Sequence, residues 1–254
     1  MCSRTSSARL LAAAIALAPV GAAAQGANPA ALFSEAYAAF QEGDAESAVR
    51  GYSEAAELGH LPAAWKLARM HESGDGVEQS DAEAFAAYER IARRFGRIRP
   101  RDREAVYVSS AFLHLAHYLR TGIDPVLPAD PVAARRAYFY AASYFGDADA
   151  QFELGRMMLS GSGGRQDGRN GLRWLNSAAQ KGHVGATARL GAALYHGEGI
   201  AARPVEGLSM LMQAAGDARE ADRSWIEGLR DEALATATRE IAAAAKARNE
   251  EAGS

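Results

Sequence analysis

The side chains most able to do chemistry in this chain are its six histidines. His114 and His117 lie three residues apart, which puts both rings on one face of a helix. A zinc site needs at least one further ligand close in space, and the sequence has no second cluster of His, Cys or acidic residues to supply it. We therefore expect no metal and no cofactor, with both histidines in the core or in a groove. A pH-sensing role for His117 is the alternative.

Three short stretches resemble catalytic or ligand-binding motifs but lack essential parts. Ser162 lies in a Gly-Ser-Gly stretch with no preceding strand, whereas a nucleophile elbow requires one. The stretch GSGGRQDGRN lacks the Gly-Lys-Ser/Thr ending of a phosphate loop, and GDG at 74–76 has too few acidic residues for a calcium loop. His60 and His183 occupy the same place in two copies of AAxxGH, so they belong to a repeat. We expect no catalytic residues and no enzyme activity.

The phrase Leu-Gly-(x)5-Gly-x-Gly occurs at residues 154–163 and again at 190–199. It belongs to a longer template that begins with a small residue. Counted from that residue, the template has Leu four positions later, a second small residue at five, Gly at eleven and usually Gly at thirteen. The template fits four places, which begin at Ala63, Ala111, Ala150 and Ala186. The second copy departs from it by having Asp124 in place of the last Gly.

A second template, with a small residue, a bulky residue at four and small residues at seven and eight, alternates with the first. Its five copies begin at intervals of 36, 50, 37 and 36 residues, at Ala48, Ala84, Ala134, Gly171 and Gly207. Spacings of four, seven and eleven put these residues on one helical face, where Ala and Gly permit close approach of a neighbouring helix. Each unit is therefore a predicted helix pair. Because one pair cannot bury its apolar face, the fold class is an all-α solenoid of stacked antiparallel helix pairs.

Local signals predict where several helices begin and end. Ser80 and Glu83 form a capping box, Asp130-Pro131 and Pro204 suit helix starts, and Gly at position eleven suits a left-handed helix end. Ser224 and Glu227 form a further capping box. An apolar stripe continues to residue 241, which predicts one long C-terminal helix that caps the last unit, in preference to a dimerisation helix. The polar residues from 246 onward are expected to fray.

The N-terminus has the pattern of a secretory signal peptide. Two arginines precede the apolar run LLAAAIALAPV, and three alanines at 22–24 form a small-residue cleavage site. We therefore expect residues 1–24 to be removed, the mature protein to lie in the periplasm, and no stable membrane insertion. The single cysteine, Cys2, falls inside this segment. Without these residues 26 basic and 31 acidic side chains remain, a formal charge of −5 that argues against a nucleic-acid partner.

The repeat phrases resemble the Sel1-like repeat, a relative of the tetratricopeptide repeat, and this resemblance implies a right-handed superhelix. The order of YSEAAELGH, MHESGDGV, HLAHYLRTGI, RWLNSAAQKGH and DRSWIEGLRDEA is further similar to the ExoR family of periplasmic regulators of exopolysaccharide production. That likeness implies a protein that binds the periplasmic part of a membrane sensor histidine kinase and represses its signalling. The predicted domains are a signal peptide at 1–24, a degenerate tetratricopeptide-like unit at 25–61, the solenoid at 62–216 and a capping helix with a polar tail at 217–254.

The 50-residue interval contains an arginine-rich insertion, RRFGRIRPRDRE. It is either a solvated loop neutralised by its own acidic residues or a docking patch for an acidic protein surface or anionic headgroups. The candidate basic loop consists of Arg93, Arg94, Arg97, Arg99, Arg101 and Arg103. A second irregular piece, GIDPVLPADP, has three prolines that keep it extended.

In related repeats the first-helix face opposite the repeat core lines a concave groove. In this chain that face is rich in aromatic and arginine side chains, which favours a peptide or helix groove, although such residues also pack between units. The candidate groove residues are Trp65, Arg69, His117, Arg120, Phe152, Arg156 and Tyr195. The predicted function is repression of the sensor kinase, ended by loss of the protein or by a periplasmic protease that enters at the insertion loops. The alternative is a structural adaptor in envelope or cell-wall assembly.

Overall fold

The computed structural model describes residues 28–252, so the predicted signal peptide at 1–24 lies outside the described residues. Every regular element within 28–252 is helical, and a π-helical turn at Ala141–Phe145 extends α6. The helices are α1 (Pro29–Gln41), α2 (Ala45–Glu57), α3 (Leu61–Ser73), α4 (Asp81–Phe95), α5 (Ala105–Thr121), α6 (Pro131–Tyr140), α7 (Ala148–Ser160), α8 (Gly168–Ala179), α9 (Val184–His196), α10 (Pro204–Asp217), α11 (Glu220–Thr236) and α12 (Arg239–Ala252).

The helices pack as five successive pairs, from α1 with α2 to α9 with α10. The second helix of each pair also contacts the first helix of the next pair, so that every unit covers its neighbour. The predicted all-α solenoid of stacked antiparallel helix pairs is therefore confirmed. One side of each helix pair is covered only by the following pair. The last pair has no following pair, so the C-terminal end of the chain must cover it.

The template residues lie at the helix crossings. The alanines that open the four first-helix copies are all 0% exposed, and so are Tyr52, Tyr88 and Tyr138 at the bulky position of the second helix. In the last two pairs the crossing is glycine on glycine. A Cβ built on Gly155 would lie 3.0 Å from the carbonyl oxygen of Gly171. The small residues therefore set the distance between paired helices, and the tyrosines fill the space beside them.

The helix ends follow the predicted signals in all but one unit. Ser80 accepts a hydrogen bond from the backbone N–H of Glu83, and Pro131 and Pro204 are the first residues of their helices. The glycine at position eleven is left-handed in three copies of the template. Gly122 has φ 76° and ψ 172°, in the copy that lacks the second glycine. The prediction that the following segment is held extended is wrong, because the chain turns at residues 124–126 and an antiparallel bridge joins Ile123 to Leu127.

The two repeat histidines are helix caps. His60 Nδ1 accepts the backbone N–H of Ala63 at 3.2 Å, and His183 Nδ1 accepts that of Ala186 at 3.0 Å. Asp147 takes the same role in front of α7. An imidazole can accept this bond only through an unprotonated nitrogen, so both caps require neutral histidine. The AAxxGH phrase therefore encodes the start of the next first helix.

The predicted single C-terminal helix is wrong, because the structure has two. α11 begins at Glu220, which puts Ser224 inside the helix instead of at its cap, and Ala237 has an extended ψ of 138° that separates α11 from α12. Ile226 and Ala245, from the two helices, are both buried against α10. The predicted frayed tail is wrong as well, since α12 runs through Asn249, whose amide donates to the Ser209 carbonyl oxygen at 3.1 Å. Two helices together cover the last repeat.

Within residues 28–252 none of the helices combines the length and the apolar character needed to cross a bilayer.

Candidate protein-binding faces

The first helices α3, α5, α7 and α9 form one side of the solenoid with α11, and we call this side the inner face. α3 contacts α5 and α9 contacts α11 along it. The candidate groove residues predicted from the sequence all lie on these first helices, so the inner face is the side on which that groove was predicted.

The predicted groove aromatics each bridge to the next helix of the inner face. The Trp65 indole N–H donates to Ser110 Oγ of α5 at 3.0 Å, and the Phe152 ring stacks on His183 with centroids 4.4 Å apart. Tyr195 Oη lies 3.0 Å from Thr236 Oγ1 of α11. All three are half-buried. These rings therefore hold successive units together and leave part of their surface to the groove.

The α3 end of the inner face is organised around the half-buried carboxylate of Glu72. Tyr88 donates to it at 3.0 Å, His114 Nδ1 lies 2.7 Å away, and Arg69 pairs with it. Burial favours a higher pKa for Glu72, but the hydrogen bonds with His114 and Tyr88 and the charge of Arg69 outweigh it and hold the pKa below its usual value. Arg69 is thereby positioned beside a fixed negative charge.

His117 lies on the same helix as His114 but takes a different partner. Its Nδ1 is 2.7 Å from the hydroxyl of Tyr138, a fully buried tyrosine of α6. Burial lowers the pKa of His117 and raises the pKa of Tyr138 to about 12. His117 is therefore neutral at neutral pH. Within residues 28–252 no group of three or more His, Cys, Asp or Glu side chains is arranged to hold a metal ion.

A cleft of about 500 Å³ opens in the inner face between α5, α7, α9 and α11. Arg120, Arg156 and Arg189 line it from three consecutive first helices. Arg156 pairs with Glu153 at 3.0 Å, whereas Arg189 lies over the Trp225 ring at 5.1 Å. Burial, followed by the nearby charge of Arg156, lowers the pKa of Arg189. The structure thus brings two of the predicted groove arginines together and adds Arg189, which the sequence analysis missed.

The position of Arg189 in the repeat could have indicated that it lies on the exposed face. Arg189 stands three positions after Ala186, where the preceding unit has Glu153 three positions after Ala150. The groove residues predicted from the sequence all stand two, six or nine positions after the first residue of the template. Position three lies about 60° further round the helix than position six, and Arg189 at this position reaches the cleft.

The predicted basic loop is partly helical. Arg93 and Arg94 lie in the last turn of α4, and only the other four arginines lie in the connection at 96–104. The correction has a simple cause, since the apolar residues Ile91 and Phe95 continue the α4 face beyond the point where the arginines begin. Every one of the six arginines is exposed. The structure does not bring them to the inner face.

Comparison with known proteins identifies the repeats and two relatives. Residues 61–94, 148–183 and 184–215 match the Sel1 repeat family. The chain is 40% identical over 212 residues to an exopolysaccharide production negative regulator of Rhizobium meliloti, covering 83% of this chain and 77% of that protein. It is 38% identical over 219 residues to a protein of the same name from Rhizobium leguminosarum bv. viciae, covering 85% of this chain and 79% of that one.

Two solved structures share the fold. A protective antigen of uropathogenic Escherichia coli strains that displays an SLR fold has a TM-score of 0.69 at 23% identity, over 88% of this chain and 45% of that one. A Sel1 repeat protein from Oxalobacter formigenes has a TM-score of 0.64 at 22% identity, over 89% of this chain and 88% of that one. At these identities the likeness concerns the fold alone.

Proposed function

This chain belongs to the family of exopolysaccharide production negative regulators, and we propose that it represses exopolysaccharide production by binding the periplasmic domain of a membrane sensor histidine kinase. The similarity to both relatives over more than four fifths of the chain is the observation that carries the proposal. The repeat architecture suits such a role, because stacked helix pairs present an extended surface to a protein ligand. A binding role without catalysis accounts for the fold and for the relatives' name.

The inner face supplies the binding surface in this proposal. The cleft lined by Arg120, Arg156 and Arg189 offers planar guanidinium groups to partner carboxylates, and the half-buried rings of Trp65 and Phe152 supply apolar contact area elsewhere on the same face. Repression then follows from population shift, since a protein that binds only the inactive conformation of the kinase withdraws it from the active one. The coupling is reciprocal, so activation of the kinase must weaken binding.

Relief of repression in this proposal requires removal of the protein from the complex. The connection at 96–104 carries four exposed arginines, and the connection at 122–130 is mostly exposed and non-helical. Such non-helical segments are the preferred sites of proteolysis. We therefore include a periplasmic protease that cleaves at one of these two connections. Fractionation of cells, with the mature N-terminus determined by mass spectrometry, tests the periplasmic location.

The binding experiment combines genetics with a purified complex. Deletion of the gene should raise exopolysaccharide output, and the purified mature protein should bind the isolated periplasmic domain of a sensor kinase from the same cell. Charge reversal at Arg156 and Arg189 together should weaken that binding about tenfold, because two charged contacts change from attraction to repulsion. Charge reversal at Arg169 and Arg173, two exposed positions on α8, is the matched control. Unchanged output in the deletion strain, together with no binding by the wild type, would refute the proposal.

A further inference from the structure

The opposite side of the solenoid, formed by the second helices, carries a groove that the inner-face proposal does not use. It lies between α2 and α4 over the outer side of α3, has a volume of about 740 Å³, and we call it the α2–α4 groove. Its lining is mostly small or apolar and includes Ala56, Ala64, Leu67, Ala87, Ile91 and Phe95. Two parallel helical walls with an apolar floor form a trough of the kind into which a third helix packs.

The α4 wall of this groove is strongly positive. Arg90, Arg93 and Arg94 line it, and the α2 wall contributes Glu57. Arg93 pairs with Glu89 at 2.7 Å, whereas Arg90 and Arg94 have no ion-pair partner within 4.0 Å among residues 28–252. A groove whose wall holds two unpaired guanidinium groups above an apolar floor offers charged and apolar contacts side by side.

Arg94 is held at the end of the groove by its surroundings. Its guanidinium lies over the Phe95 ring at 5.3 Å, and one of its terminal nitrogens would be 2.8 Å from a Cβ on Gly59. The glycine in the turn between α2 and α3 therefore leaves room for the arginine. Arg94 spans from α4 to that turn and presents its charge at the mouth of the groove.

The positive charge continues beyond the groove. Residues 89–104 contain seven arginines against Glu89, Asp102 and Glu104, an excess of four, whereas the whole chain has a net charge of −3. Arg99 pairs with Asp102 at 3.1 Å, and in the part of the chain that the structure describes Arg97, Arg101 and Arg103 have no ion-pair partner. Screening confines such a field to about 8 Å at physiological salt, so a partner senses it only when it comes to this part of the surface.

We infer that the α2–α4 groove docks an acidic amphipathic helix of a partner protein. Apolar side chains of that helix, at helical spacing, enter the groove over Leu67 and Ile91, while its flanking carboxylates meet Arg90, Arg93 and Arg94. Guanidinium groups suit carboxylates because their N–H donors match both oxygens. The two walls select a helix over a flat anionic bilayer, since headgroups reach the arginines but not the floor between the helices.

A designed peptide tests the chemistry without knowledge of the natural partner. The probe is a 20-residue fluorescent peptide with Leu at positions i, i+3, i+4 and i+7 and Glu on both flanks. The comparison peptide has the same composition in scrambled order. Fluorescence anisotropy with the mature protein should show saturable binding of the ordered peptide that weakens as salt is raised. Little binding of the scrambled peptide is expected, because its leucines no longer share one helical face.

Two variants separate the charged wall from the apolar floor. The triple change Arg90→Glu, Arg93→Glu and Arg94→Glu should weaken the ordered peptide about tenfold or more and remove most of the salt dependence. Ala56→Phe should weaken it with the salt dependence retained, because the larger side chain fills the groove. The control reverses the same number of charges at exposed positions on and before α8, namely Arg165, Arg169 and Arg173, and should leave affinity within about twofold. Circular dichroism confirms that each variant is folded.

Three outcomes would overturn the inference. The first is equal binding of the ordered and scrambled peptides. The second is equal loss of affinity in the α4 triple variant and the α8 control. The third is arginine-dependent binding to phosphatidylglycerol vesicles, or arginine-dependent self-association in sedimentation, with no binding of the peptide, which would assign the groove to a lipid surface or to a second copy. None of these outcomes depends on the sensor kinase, so the proposed function is tested separately.

Discussion

Replacement of Gly207 by alanine measures how much the close crossing of α9 and α10 contributes to stability. Gly207 lies in α10, and a Cβ built on it would be 2.4 Å from the Tyr195 backbone nitrogen and 2.6 Å from the Gly191 carbonyl oxygen. Both atoms belong to the backbone of α9, so no side-chain rotation can relieve the overlap. The two helices must move apart instead.

The expected magnitude follows from two opposing effects. Overpacking of a well-packed contact costs about 1 to 3 kcal/mol, and backbone contacts of this length place Gly207→Ala at the upper end. Alanine in place of glycine in a helix returns about 1 kcal/mol through helix propensity. We therefore expect the free energy of unfolding to fall by about 2 kcal/mol.

Gly228→Ala is the matched control for this substitution. Gly228 lies in α11, and a Cβ on it would have no atom within 4 Å, so only the propensity effect remains. We expect this variant to gain about 0.5 to 1 kcal/mol. Urea unfolding followed by circular dichroism measures the free energy of unfolding of both variants. The comparison requires that the dependence of this free energy on urea concentration is the same in both. If Gly207→Ala is as stable as the wild type while Gly228→Ala is stabilised, the close-crossing argument fails.

Three further predictions concern the core and the buried polar groups. Leu154→Ala should lower the free energy of unfolding by about 2 to 5 kcal/mol, since Leu154 is 0% exposed, and a near-neutral result in urea unfolding would contradict its core position. Tyr88→Phe removes a hydrogen bond to the Glu72 carboxylate and should lower the free energy of unfolding by about 1 to 3 kcal/mol. Tyr52→Phe should change it little, because the buried Tyr52 hydroxyl has no hydrogen-bond partner among the described residues. Equal losses of stability in the two variants would refute a stabilising bond between Tyr88 and Glu72. Burial lowers the pKa of His117 in the folded protein. As pH falls below about 6.5, the ordinary pKa of histidine, the imidazole is therefore protonated in the unfolded chain before it is protonated in the folded one. The free energy of unfolding should decrease between that pH and the lower pKa of the folded state. Urea unfolding at a series of pH values should show a smaller loss of stability at low pH in His117→Gln than in the wild type. If the variant has the same pH dependence of stability as the wild type, His117 does not contribute to it.

The fold was predictable because its determinants are local and repeated. The small residues at fixed helical spacing, such as Ala63 and Ala68, are 0% exposed, the glycine at position eleven ends the helix, and the same pattern recurs in the later units. Helix starts at Ser80 and Pro131 depend on side chains next to the helix in sequence. These features need no knowledge of distant residues.

The C-terminal break was not predictable for the opposite reason. The apolar stripe passes through Ala237 without interruption, and alanine is the strongest helix former. Folding α12 back onto α10 buries Ala245 completely and lets Asn249 bond to Ser209, contacts between residues about 40 positions apart. Tertiary packing outweighs local propensity at this position.

The helix pairs and the residues at each crossing can be derived from the amino-acid sequence, because they depend on side-chain size at fixed helical spacing. The positive charge of residues 89–104 can be derived in the same way. Which faces remain open depends instead on tertiary packing. Whether Phe152 or Arg189 is available to a partner depends on how closely the next first helix approaches, and whether Arg90 borders a groove depends on the gap between α2 and α4. Those distances are set by the stacking of whole units, which no single stretch of sequence contains.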